Sequence, residues 1–145
     1  MLYLDTHVVA WLYAGQTERL TPDGRAQIER ERLLISPIVQ LELAYLREVG
    51  RLAAEPALIV ETLAESIGLA LCDLPFARVV LESIRMNWTR DPFDRLIVAQ
   101  AISRGAPLLS KDDGIRQHYE RAVWEAPKRP TPRENAAGPV VDTTR

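Results

Sequence analysis

Short apolar runs alternate with longer amphipathic stretches along this chain, in the rhythm of strands and helices. Residues 2–4 (Leu-Tyr-Leu), 33–35 (Leu-Leu-Ile), 69–72 (Leu-Ala-Leu-Cys) and 108–109 (Leu-Leu) are compact apolar runs of the kind that buried parallel strands carry. Between them the pattern predicts helices over residues 6–15, 22–32, 37–49, 56–67, 75–87, 92–104 and 112–119. Thr6 can cap the first. Pro22, Pro37, Pro56, Pro75 and Pro92 stand at or next to first helical positions, and Gly15, Gly50, Gly68 and Gly105 stand where helices stop. Residues 122–124 can add an edge strand. Strands alternating with helices predict an α/β fold: a three-layer α/β/α sandwich around a mainly parallel sheet of four to five strands. The pattern ends at residue 126. The segment 126–145 holds Pro127, Pro130, Pro132 and Pro139 with Lys128, Arg129 and Arg133, and reads as a flexible Pro-rich tail, either inert or a contact for a partner or RNA. Residues 1–125 then form one domain.

Against this pattern four carboxylates stand out. Glu42 interrupts the apolar spacing of Ile38, Leu41, Tyr45, Leu46 and Val49, so its carboxylate is expected on the core side of its helix. A marginal Glu paired with an Arg is the simpler alternative. Asp94 opens a helix that is apolar nearly all round from Leu96 to Ile102, where the helix dipole is expected to keep it ionised. Asp91 explains itself as the N-cap before Pro92, and Asp94 could serve that cap too. Asp5 and Asp112 follow the first and fourth predicted strands, the ends where open parallel sheets bind ligands. Each could equally cap the helix after it. Thr6 and Ser110 are placed to hydrogen-bond these acids or a metal-bound water.

Buried carboxylates need a compensating partner, and a hard cation such as Mg²⁺ or Mn²⁺ meets that need with oxygen ligands. Such an ion activates water and offsets charge on a phosphodiester, which makes hydrolysis of a nucleic-acid backbone the matching chemistry. Zinc does not match: His7 and His118 are the only histidines, Cys72 the only cysteine, and none has a ligand spacing. His7 reads as a first-turn helix residue within reach of substrate, and Cys72 as a core thiol.

Composition changes the picture little. The chain has 145 residues, 47% of them hydrophobic and 26% charged, enough for one domain with a core. No apolar stretch approaches the ~20 residues of a membrane span, and no basic leader precedes the first strand, so a cytoplasmic protein is expected. A net charge of −2 does not mark a nucleic-acid binder. Nearly all the basic residues are arginine, suited to phosphate contacts or merely reflecting codon bias. Arg90, Arg95, Lys111 and Arg116 lie near the acids in sequence and are candidate RNA contacts, each also readable as a solvated charge.

At Leu4-Asp5-Thr6, Ser36-Pro37 with Glu42, Asp91-Pro92-Phe93-Asp94-Arg95 and Leu109-Ser110-Lys111-Asp112, the chain resembles PIN-domain ribonucleases, most of all the VapC-type toxins of toxin-antitoxin pairs. The likeness covers about residues 1–125. It implies a PIN-like sandwich, a four-acid site for Mg²⁺ or Mn²⁺ at Asp5, Glu42, Asp94 and Asp112, and metal-activated water as nucleophile in RNA cleavage. It further implies tRNA or rRNA as substrate, a homodimer, and a cognate antitoxin. Ser110 stands where that family usually has Thr, which keeps the hydroxyl. Asp113 competes with Asp112 for the fourth place, and the spacing from Ser110 favours Asp112. A catalytically silent PIN-like module that binds RNA or protein is the alternative. An aspartate-dependent phosphatase of the haloacid dehalogenase class would need an acid where His7 stands.

Overall fold

A computed structural model describes residues 1–125, so the expected tail at 126–145 lies outside the described residues. Five strands, β1 (Leu2–Leu4), β2 (Leu33–Ile35), β3 (Ala70–Leu71), β4 (Leu108–Leu109) and β5 (Ala122–Val123), form one sheet in the order β3-β2-β1-β4-β5. Every pairing is parallel, with Leu2 against Leu33, Tyr3 against Leu108, and Ile35 against Leu71 in register. Chain order reverses between β1 and β4, and the carboxyl ends of these two strands carry Asp5 and Ser110. That is the crevice in which a doubly wound sheet holds its ligand.

Among the described residues seven α-helices cover the sheet: α1 (Thr6–Tyr13), α2 (Pro22–Arg30), α3 (Ile38–Glu48), α4 (Pro56–Ile67), α5 (Phe76–Ile84), α6 (Pro92–Arg104) and α7 (Asp113–His118). The α/β/α sandwich is as the hydrophobic pattern predicts. The central strands are wholly buried and the edge strands β3 and β5 only partly, which is why the former read as unbroken apolar runs. α6 buries an unbroken run from Ile97 to Ala101, as expected of an interior helix. Gly68 and Gly105 end α4 and α6 at φ of 72° and 62°, a left-handed turn that a side chain would strain.

Three local expectations need correction. Asp5, not Thr6, caps α1; Thr6 is its first residue and is fully buried. α5 stops at Ile84 rather than near residue 87, because buried Met86 turns inward on a bond to the Ser83 carbonyl and the chain continues as a loop carrying Trp88. The third revision concerns α3. Its buried face is Val39, Leu43 and Leu46, while Leu41, Tyr45 and Val49 are about half exposed. Glu42 still faces inward, since it stands three residues after Val39 and four before Leu46 on that same face.

Candidate active site

Asp5 ends β1 with its carboxylate almost wholly buried, 7% exposed. One oxygen accepts the Thr6 backbone N–H at 2.8 Å, and the other accepts the Ser110 hydroxyl at 2.6 Å. Ser110, fully buried at the end of β4, in turn accepts the Asp112 N–H at 3.1 Å. The two strand ends are thus tied together by a short relay that fixes the orientation of Asp5. Asp112 caps α7 by accepting the Ile115 N–H at 2.8 Å, and a second acid thereby enters the same crevice from the neighbouring strand. Gly114 leaves room for this: a Cβ there would stand 3.1 Å from the Asp112 carboxylate.

Helices supply the remaining acids. Glu42 comes from α3 and Asp94 from the first turn of α6, and both line a cavity of about 480 Å³ with Asp5 and Asp112. Asp91 lines it as well. Sequence reasoning assigned Asp91 to capping alone, and it does cap, accepting from the N–H groups of Phe93 and Asp94 at 2.8 and 3.3 Å. The capping motif accounted for it so fully that no signal of a second role remained. His7, Val8 and Trp11 form the opposite wall, and Trp11 carried no signal beyond an aromatic in a helix.

Electrostatics within the cavity are unfavourable for the acids. Burial raises the Asp5 pKa, against the hydrogen bonds from Ser110 and Thr6. Burial also raises Glu42, with Asp5 and Asp91 adding to it. The Thr6 hydroxyl stands close enough to Glu42 to draw it down, but it is buried and its contact falls short of a well-formed hydrogen bond. Asp94 is pushed to about 7, first by burial and then by Asp91, Asp112, Asp5 and Glu42 in that order. The helix start was expected to keep Asp94 ionised. Burial and then four neighbouring acids outweigh the dipole, whose first N–H groups Asp91 already takes.

The basic candidates separate. Lys111 lines the cavity, whereas Arg90, Arg95 and Arg116 do not. Arg95 is spent on the loop before α6, its Nε donating to the Thr89 carbonyl at 2.7 Å. Arg116 pairs with Asp113 at 2.5 Å, which neutralises that acid and leaves it 82% exposed. Asp113 therefore lies at the rim, and Asp112, unpaired with any cation among the described residues, faces the other acids. Trp88 stacks on His118 with ring centroids 4.9 Å apart and lies beside Gly114.

The donor set consists of carboxylates and hydroxyls, the chemistry of a hard-cation site. Two observations suit a cation: an acid raised to about 7 by burial first and then by four other acids, and a buried Thr6 hydroxyl with no well-formed hydrogen bond. Among the described residues no three acidic, His or Cys side chains already stand close enough to enclose an ion. The arrangement is an open ring, of the kind that leaves much of the coordination to water.

The family described as PIN domain matches residues 2–121. Ribonuclease VapC22 of Mycobacterium tuberculosis (strain ATCC 25618 / H37Rv) is 33% identical over 121 residues, spanning 79% of this chain and 89% of that protein. A chain in the crystal structure of VapBC2 from Rickettsia felis bound to a DNA fragment from their promoter shares the fold. Its TM-score is 0.60 at 18% identity, over 81% of this chain and 92% of that one.

Proposed function

The chain belongs to the PIN-domain family in its VapC branch, and from that premise we propose that it is a Mg²⁺- or Mn²⁺-dependent endoribonuclease toxin. The observation that carries the metal-site reading is Asp94. Its carboxyl is raised to about 7 by burial first and then by four other acids lining the same cavity, a cluster short of positive charge. Asp5, Glu42 and Asp94 would hold the ion directly and Asp112 would support it as a weaker ligand or through a bound water. When bound, the ion would supply charge neutralisation at the phosphate and a lowered pKa for the attacking water. Ser110 holds the Asp5 carboxylate in one orientation, and the Thr6 hydroxyl is free to accept or donate a bond to a bound water. Lys111 at the rim offers its ammonium to a phosphate oxygen. RNA, with tRNA or rRNA as the expected form, is the substrate in this reading, and the setting is the cytoplasm.

The relatives' pairing supports a cognate antitoxin as partner, since one neighbouring structure is a VapBC complex. A homodimer accords with the apolar side chains left exposed on α3 and α5, among them Tyr45, Phe76 and Leu81. The test is cleavage of total tRNA and rRNA by purified protein with manganese, with EDTA, and with manganese restored. The expected result is cutting that disappears and returns with the ion and is absent from Asp5→Asn and Glu42→Gln, both still folded by circular dichroism. Cutting in EDTA or by Asp5→Asn would overturn the proposal. Equal RNA binding with and without metal, and no cutting, would instead establish a silent module.

A further inference from the structure

A second cavity of about 400 Å³ adjoins the first, and the two share a wall made of His7 and Trp11. It lies between the C-terminal half of α1, the turn at residues 17–19, the end of α3 and the loop that follows, and its charge is opposite to that of its neighbour. Where the first cavity gathers six acids and one lysine, the second has no acid in its lining and two arginines, Arg19 and Arg51. Both are exposed, and among the described residues neither has a carboxylate within ion-pair distance. The Arg19 guanidinium sits over the Trp11 ring, 5.7 Å from its centroid. Arg51 is anchored by its backbone N–H to the Leu46 carbonyl at 2.8 Å.

We propose that the groove formed by Trp11, Arg19 and Arg51 is the subsite that holds the flanking nucleotides of a single-stranded RNA whose scissile phosphodiester lies at the carboxylates. This rests on the ribonuclease reading and adds where the substrate's binding energy comes from. A polyanion gains nothing from a pocket of acids, so affinity must come from beside it. Trp11, tilted against His7 and Trp124 at centroid distances of 6.1 and 6.0 Å and with the Arg19 guanidinium over it, joins a second guanidinium to offer what single strands bind to: aromatic surface for a base and cations for phosphates. His7 and Trp11 line both cavities, so a strand whose scissile phosphate lies at the acids has the arginine groove next to its flanking nucleotides.

The experiment measures binding of a short, dye-labelled single-stranded RNA by anisotropy in EDTA, where no cutting occurs, across a range of salt. Trp11→Leu should weaken binding by roughly 5- to 150-fold, the fold-change of ~1–3 kcal/mol per stacked base, and Trp11→Phe should recover most of it. Arg51→Gln and Arg19→Gln, at exposed positions that leave the core untouched, should each lower the slope of log affinity against log salt by about 0.7. Equal affinity and equal slopes in wild type and all four variants would overturn the subsite and leave the groove to a protein segment. Loss in Trp11→Leu with no recovery in Trp11→Phe and unchanged slopes would overturn it as well, marking Trp11 as structural. No binding by the wild type would overturn the subsite alone, since the ribonuclease reading stands or falls on metal-dependent cutting of tRNA and rRNA.

Discussion

Substituting Asp94 with Asn should stabilise the metal-free protein while abolishing its chemistry, and the size of the gain follows from the site. Among the described residues no donor reaches the Asp94 carboxylate, so the amide forfeits no hydrogen bond. The carboxyl is raised from the ordinary 3.8 to about 7, so the folded state holds its proton more tightly than the unfolded chain does. Stability therefore falls as pH climbs from about 4 to about 7 and levels off above that. The full shift corresponds to a ceiling of about 4 kcal/mol, which partial solvent exposure screens to about 1–2 kcal/mol. For a domain of this size that is a gain of about 3–8 °C in Tm for the variant at pH 8 in EDTA. At pH 5 the gain should be smaller than at pH 8, because protonation relieves part of the penalty. Thermal melts of both proteins at pH 5 and pH 8, with EDTA and then with manganese, make the measurement. Manganese should raise the wild-type Tm and largely spare the variant. A variant no more stable than wild type at pH 8, or a gain of the same size at pH 5, would refute the reasoning.

Ser110→Ala should cost about 1.5–3 kcal/mol in urea melts, more at pH 8 than at pH 5, because it strips the 2.6 Å donor from a buried carboxylate. Asp112→Ala should lose about 1 kcal/mol with the α7 cap, whereas Asp112→Asn should keep the cap and lose cleavage, separating the two roles in paired melting and cleavage assays. Leu43→Ala should cost about 2–5 kcal/mol and Leu41→Ala no more than about 0.5, since Leu43 is fully buried and Leu41 is 57% exposed. Chemical denaturation that ranks the two leucines the other way would show that α3 faces differently.

The strand ends were the most legible part of the chain. Asp5 and Asp112 follow apolar runs that could hardly be anything but buried strands, and parallel pairing brings their ends together. Glu42 was legible in direction but for an imperfect reason: the spacing of Leu41, Tyr45 and Val49 resembled a core stripe, yet that face is exposed and Val39, Leu43 and Leu46 are buried. Hydrophobic periodicity records which side chains leave water, whether to the core or to another surface, and cannot distinguish the two. Asp91 was hidden by its own cap, since one local hydrogen-bond pattern explained it completely. The expectation that Asp94 stays ionised took account of the helix dipole, which is visible in sequence, but not of the burial of Asp94 or of Asp112, Asp5 and Glu42, which only folding brings to it beside the neighbouring Asp91. The arginine groove was out of reach for the same reason: Trp11, Arg19 and Arg51 meet only once α1 packs beside the end of α3.

The central claim is that Asp5, Glu42 and Asp94 hold a divalent ion, and anomalous diffraction from manganese-soaked crystals tests it most directly. The account predicts one or more peaks in the acidic cavity, with Asp5, Glu42 and Asp94 oxygens at about 2.0–2.3 Å, the distances of oxygen ligands to a small hard cation. A map with no peak in that cavity, under conditions where the protein cuts RNA, would contradict it.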